Sequence, residues 1–482
     1  MTAGRRIFRN IRALGAAKVA TLLAGLVTTA WTARVLGPEH FGFLGFGTSM
    51  LAYAALLVNL GLSTYAVREI ARDPSRAAVL AEHVVTLRVL LALVVGAVYA
   101  PLVLALDKPD LVKAVLLVQA LQLLGNALLL DFVYQGTERM GVIATREIGT
   151  AFGTMAAMLL LVRGPEDVVI AAAITAASFL LNAGLMLVRF RRDFGRLRPR
   201  IDLAVWRAIL TAAAPMAVSV FAWAIFGHLD LVMLGFLAPQ EEVGWYAAAV
   251  KVQMLTLTAA QIVMNAFIPQ LAAAYGDPER MRERMRDYAT TMLSIGAVVA
   301  TGGVVLAPAV LALLFGEAYR PGGDALRLLM VSVAVVHLNM TLGNPLLVWN
   351  RQTAYMAAIL AGGAVNALLN IVLIPRWGIE GAAVATVAAE LTALAGLAWV
   401  HRRTVGQLYL GIAARAALCA ALALAAVAGL TWLAPALLSG DRHPLAVLIA
   451  VGGMILAVEL VALTATGLIR PSRLRRLIGA TA

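Results

Sequence analysis

Apolar runs of about twenty residues follow one another through almost the whole chain, each long enough to cross ~30 Å of hydrocarbon as a helix. That feature leaves few folds open. Inside a bilayer every backbone N–H and C=O has to find its partner within the chain, so only helices and closed barrels span it. Barrel strands read as alternating segments of ~10 residues, half the length of these runs. An all-α integral membrane protein is therefore expected. Composition agrees, with 62% of the 482 residues hydrophobic and 13% charged. A soluble chain is roughly half apolar and a quarter charged. The basic start "MTAGRRIFRNIRALGAAK" runs into a full-length span without a small-residue cleavage site, so no cleavable leader is expected.

The hydropathy pattern predicts about fourteen spans. They lie near 14–36, 41–66, 79–106, 111–136, 141–162, 167–190, 206–236, 243–275, 289–316, 324–349, 353–375, 379–400, 408–436 and 444–469. The net charge of +13 follows the spans. Counted from a cytoplasmic N-terminus, roughly 25 Lys and Arg fall on the inner side and about five on the outer, the asymmetry of the positive-inside rule. Both termini are then cytoplasmic. This placement accounts for the basic charge without nucleic acid, and leaves membrane lipid as a partner.

Every connection is short. None could hold a nucleotide-binding or catalytic domain, so no enzyme, and in particular no integral-membrane glycosyltransferase or glycan polymerase, is expected. Cys419 is the single cysteine, which excludes an internal disulfide and a cysteine-built metal site. The six histidines are scattered, with His228 and His337 read as packed or pore-lining. No metal or cofactor is expected. The glycines of "FGFLGFGTSM" and "LAGGAVNALL" lie inside spans, where small residues let helices pack closely.

The two halves resemble each other. "LGP" at Leu36 recurs as "LAP" at Leu237, "DPSR" at Asp73 as "DPER" at Asp277, and "APLVLAL" at Ala100 as "APAVLAL" at Ala307. "GTERM" at Gly136 has a polar counterpart in "NRQTA" at Asn350. The order and spacing imply two parallel six-helix lobes, an arrangement that leaves a central cavity opened alternately by rocking. The lobes are 1–190 and 206–403, joined by a basic cytoplasmic linker at 191–205, with two additional helices and a basic tail at 404–482. Pro101, Pro215, Pro269, Pro308 and Pro345 lie in or near spans and can bend them.

Charges within spans point to function, because each costs several kcal/mol unless it is paired or used. "HLDLVMLGFLAPQEEVGWYAAAVK" carries Asp230 and Lys251 on either side of a short turn. Both lie roughly 12–14 Å below the surface at 1.5 Å per residue. Consecutive antiparallel helices would bring them level, as a structural ion pair or as a binding pair. Arg88 is about nine residues into the third span, roughly 14 Å deep, where it could add positive charge to a cavity. Glu390 and Glu459 sit near mid-span, either to carry a coupling ion or as buried neutral acids. Lys18, Arg34, Arg146, Glu147, Arg207 and Arg327 are expected to snorkel to a membrane face.

"ARVLGPEHFG", "NLGLSTYAVREIARDP", an Asp near the end of the seventh span, "EEVGWYAAAVK" and "IPQL" together resemble the polysaccharide transporters of the MOP superfamily, Wzx-type flippases of lipid-linked oligosaccharides. The likeness covers most of the first twelve spans. It implies a substrate linked to undecaprenyl pyrophosphate and turned from the cytoplasmic to the periplasmic leaflet of the cell (inner) membrane. It also implies a glycan polymerase or glycosyltransferases of the same pathway as partners. Lys251 stands where MurJ-type sequences place a cavity-facing cation, which suits it to substrate phosphate. On this reading Lys251, Asp230 and Arg88 bind substrate, and Asp230, Glu390 and Glu459 are the candidates for ion coupling. The alternatives within the superfamily are a MATE-like cation-coupled drug or metabolite antiporter and a MurJ-like lipid II flippase. The MurJ-type Arg-Asp pair early in the first span is replaced here by Thr28 and Thr29, and fourteen spans exceed the twelve of the MATE pattern.

Overall fold

The computed structural model describes the backbone of residues 3–433 and 444–468, and the side chains from Lys18 onward except at 215, 218–226, 431 and 444. The described residues are helical, with no strand among them. Ten helices are long and apolar enough to cross a membrane. Two of these each hold two spans. Ala3–Asn59 would be roughly 85 Å long as one helix, far beyond a hydrocarbon core of ~30 Å, and it breaks at Gly37 (φ 74°, ψ 170°). Gln352–Val405 breaks in the same way at Gly378 (φ 52°, ψ −130°). A positive φ costs a residue with a Cβ, so glycine is the residue that permits each break. The helices Met140–Leu161 and Leu203–Leu237 complete the fourteen spans.

By contacts the chain divides into two compact units, Met1–Gly235 and Phe236–Ala482. The first unit is built around Leu62, Ala66 and Ile70 of the helix Leu62–Arg72, packed on the third span, Ala77–Leu104, and on Phe132, Val133 and Tyr134. Trp206, Ile209 and Ala213 of the seventh span join this core. The fourth span is discontinuous. It runs as Asp110–Ala120, Gln122–Leu128 and Asp131–Gly136, with Leu129 extended between the last two. Gly125 lets this span meet the sixth, since a Cβ there would come within 2.8 Å of the Phe179 backbone. The basic linker is strapped to the third span. Arg200 pairs with Glu82 at 2.6 Å, and the Arg198 and Arg200 amides donate to Glu82 and Thr86.

The second unit has Trp349 fully buried at its centre, its indole N–H donating to the Leu271 carbonyl at 2.9 Å. The thirteenth and fourteenth spans, Leu410–Leu433 and Pro444–Ala465, pack on the ninth through Ile412, Ala416 and Cys419 against Ala289 and Leu293. Pro101, Pro269, Pro308 and Pro345 lie inside helices, as expected.

The repeat has a local structural echo. Asp73 and Asp277 each precede a proline at a helix start, where a missing N–H costs nothing. Each accepts backbone N–H bonds, Asp73 from Ser75 and Asp277 from Glu279 and Arg280. The paired "DP" sequences are thus two copies of one helix-capping device.

Candidate functional site

The charges inside the first unit gather at the broken fourth span. Asp131 opens its last segment, and Arg146 on the fifth span meets it with two parallel bonds of 2.7 and 3.1 Å. Glu147 adds a contact to Arg146 at 3.6 Å. Arg88 reaches the same break from the third span. It donates to the Leu129 carbonyl at 3.2 Å and to the Asn126 carbonyl. The Val133 amide that a continuous helix would give to the Leu129 carbonyl goes to Leu130 instead, and the Asn126 carbonyl accepts from the Leu129 amide at 3.4 Å, so a guanidinium with a planar fork of donors clamps the two carbonyls at the break. Arg88 is 5% exposed. The structure places it against backbone and within electrostatic reach of Asp131.

One sequence expectation changes here, and one residue is new. Arg146 does not snorkel, because it is buried in a bidentate pair. Asp131 was not singled out at all. Its signal was available: Asp131 stands five residues before the helix end at Gly136, and Arg146 six after the restart at Met140. That is the symmetry about a turn that singled out Asp230 and Lys251.

Asp230 belongs to the first unit and is half-buried. It acts electrostatically on the Tyr53 hydroxyl, and the His228 ring stands edge-on to Tyr53 at 6.5 Å.

Lys251 belongs to the second unit, on the eighth span, Gln240–Ala273. Its side chain is exposed, and it has no hydrogen-bond or ion-pair partner among the described residues. The opposite side of the same helix is engaged. Gln253 donates to Ser332 at 2.9 Å, and Val252 and Ala260 are buried. Lys251 lies about 16 Å from the helix start, at 1.5 Å per residue.

Glu390 is half-buried, and the Asn339 amide donates to its carboxylate at 2.6 Å and to its carbonyl at 3.0 Å. Glu459 is fully buried. Neither of its oxygens makes a hydrogen bond among the described residues, although the Thr301 side chain stands beside it. His337 is packed, with Nδ1–H on the Val333 carbonyl at 2.8 Å. Among the described residues no cluster of His, Cys, Asp and Glu could hold a metal ion.

Residues 7–274 match the family model described as polysaccharide biosynthesis protein. A putative O-antigen transporter of Shigella dysenteriae is 23% identical over 374 residues, covering 75% of this chain and 91% of that protein. The structure of the lipid II flippase MurJ in an inward closed conformation superposes with a TM-score of 0.71 at 11% identity, over 96% of this chain and 99% of that one. An inward-facing multidrug-resistance MATE transporter of the MOP superfamily gives 0.63 at 16% identity, over 80% and 95%. At such identities the structural matches speak for the fold alone. The family match spans more than half of the chain, so this multi-pass membrane protein belongs to the polysaccharide biosynthesis protein family, with the fold of the MOP-superfamily transporters.

Proposed function

We propose that the protein is a flippase that turns an undecaprenyl-pyrophosphate-linked oligosaccharide from the cytoplasmic to the periplasmic leaflet by alternating access, for export of a surface polysaccharide. The observation that carries this reading is Lys251, an exposed ammonium without a partner among the described residues, deep in an apolar span. A pyrophosphate and polar sugars cannot enter hydrocarbon unaided. An ammonium is a point charge suited to phosphate. The O-antigen transporter relative is in keeping with a glycan cargo.

On this reading Lys251 holds the phosphates, and Asp230 takes the proton or cation that resets the site. Glu390 and Glu459 are further candidates for the coupling ion. Arg88 serves the site from behind, by fixing the break in the fourth span rather than by touching substrate. The moving parts are the two repeats, 1–190 and 206–403, with the linker 191–205 and the helices of 404–482 outside them. The protein resides in the cell (inner) membrane with both termini cytoplasmic, and enzymes that build or polymerise the glycan are its functional partners. Reporter fusions after Glu39, Gln240 and Glu380 should read as periplasmic, and fusions after Arg192 and Arg284 as cytoplasmic. A cytoplasmic signal at Gln240 overturns the orientation.

The exchange Asp230→Lys with Lys251→Asp tests the assignment of roles. Two charges that only neutralise each other tolerate exchange, whereas a positioned phosphate contact does not. Glycan export, read as surface polysaccharide at equal protein level, should be lost in the exchanged protein. Normal export would remove both residues from the mechanism.

A further inference from the structure

Lys251 does not stand alone on its helix. At 100° per residue, Lys251, Thr258 and Asn265 fall within an arc of about 40°, with Gln261 flanking them. Lys251, Gln261 and Asn265 are exposed, and Thr258 is half-buried. Gln261 donates to the Asn265 side-chain carbonyl at 3.2 Å and lies 3.7 Å from the Met264 sulfur. Thr258 donates to the Met254 carbonyl of its own helix at 3.3 Å. These are the bonds the four residues make among the described residues. The Asn265 amide therefore keeps its N–H donors, Gln261 its carbonyl, and Thr258 the lone pairs of its hydroxyl. Leu255 and Ile262, also exposed, stand between them on the same face.

Hydrocarbon is a poor occupant for this face. Facing lipid, an ammonium and two primary amides with open donors and acceptors would each go unsatisfied. Alternating amide and aliphatic groups match a sugar, whose hydroxyls bond at the ring edge while its C–H faces pack on apolar side chains. The stripe spans roughly 21 Å from Lys251 to Asn265, the length of several sugar rings. Resting on the reading of Lys251 as the phosphate contact, we propose that Thr258, Gln261 and Asn265 are the specificity-determining residues that bind the sugars of the cargo, in line with the phosphates.

The test uses the full-length protein in proteoliposomes and two carriers, a prenyl pyrophosphate bearing one sugar and one bearing five. Flipping is read from the appearance of the glycan to a membrane-impermeant oxidant. Gln261→Leu with Asn265→Leu should slow the five-sugar carrier about tenfold or more, the loss of two net hydrogen bonds, and leave the one-sugar carrier within about twofold. Equal slowing of both carriers, or of neither, overturns the proposal, the second outcome being that of a lipid-facing surface. Should the leucine pair fail to fold, Asn265→Asp, which removes the N–H donors at constant shape, is read by the same ratio. Lys251→Ala should stop both carriers. If it stops neither, the phosphate reading fails, and the carrier ratio of the leucine pair then judges the sugar contacts by themselves.

Discussion

Lys251→Ala should abolish glycan export while the protein still reaches the membrane in normal amount. The two halves of this expectation have separate causes. A hydrogen bond to a charged group contributes about 1.5–3 kcal/mol, so its loss costs on the order of 10- to 150-fold in affinity for the phosphate. That contact is needed on every cycle. The fold loses nothing comparable, because the exposed ammonium makes no bond to protein among the described residues. Substitutions away from packed or paired groups usually stay within about 0.5 kcal/mol. Surface polysaccharide and membrane-extracted protein should be measured in the same cells. Lys251→Arg, which keeps the charge in another shape, should retain part of the export. Export at the normal level by the alanine protein would remove Lys251 from the mechanism.

Asp131→Ala should have the opposite profile, with little protein in the membrane and no selective effect on transport per molecule. Arg146 makes both of its short bonds to this carboxylate, and Arg88 lies within its electrostatic reach. Removing one partner of a fully buried pair costs about 3–5 kcal/mol, and here Asp131 is half-buried and Glu147, 3.6 Å from Arg146, offsets part of that cost. Against a total stability of about 5–15 kcal/mol, even part of that cost is a measurable fraction. Thermal unfolding in detergent should show the loss. Asp131→Ala combined with Arg146→Leu should recover part of it, since the double variant strands one fewer charge. An unfolding temperature unchanged by Asp131→Ala would mean that the cluster does not hold the fourth span.

These two residues also mark how far the sequence could be read. The fourteen spans were legible because hydrocarbon demands long uninterrupted apolar helices, and that demand leaves its mark on every residue of a span. The depth of Lys251 was legible for the same reason. Its open face was not, because exposure depends on which side of the eighth span meets Ser332 and its neighbours, and that is tertiary information. The break at Leu129 was hidden in the apolar run "ALLL", with no glycine or proline at the break itself. Without the break, the depth of Arg88 points to positive charge for a cavity. With it, the guanidinium becomes the clamp across the break, on the Leu129 and Asn126 carbonyls. Arg146 was misjudged because depth alone, without a partner in view, cannot tell a snorkelling arginine from a paired one.

The single-glycine breaks at Gly37 and Gly378 have a practical consequence. At both places two spans are joined with no intervening segment, so a protease has no extended stretch of chain to bind and an antibody has no loop to grip. An epitope tag inserted there would interrupt two helices at once and disturb the glycine whose positive φ makes the break. Handles for following this transporter in cells belong elsewhere, at connections such as 105–109, where several residues already run free of helix.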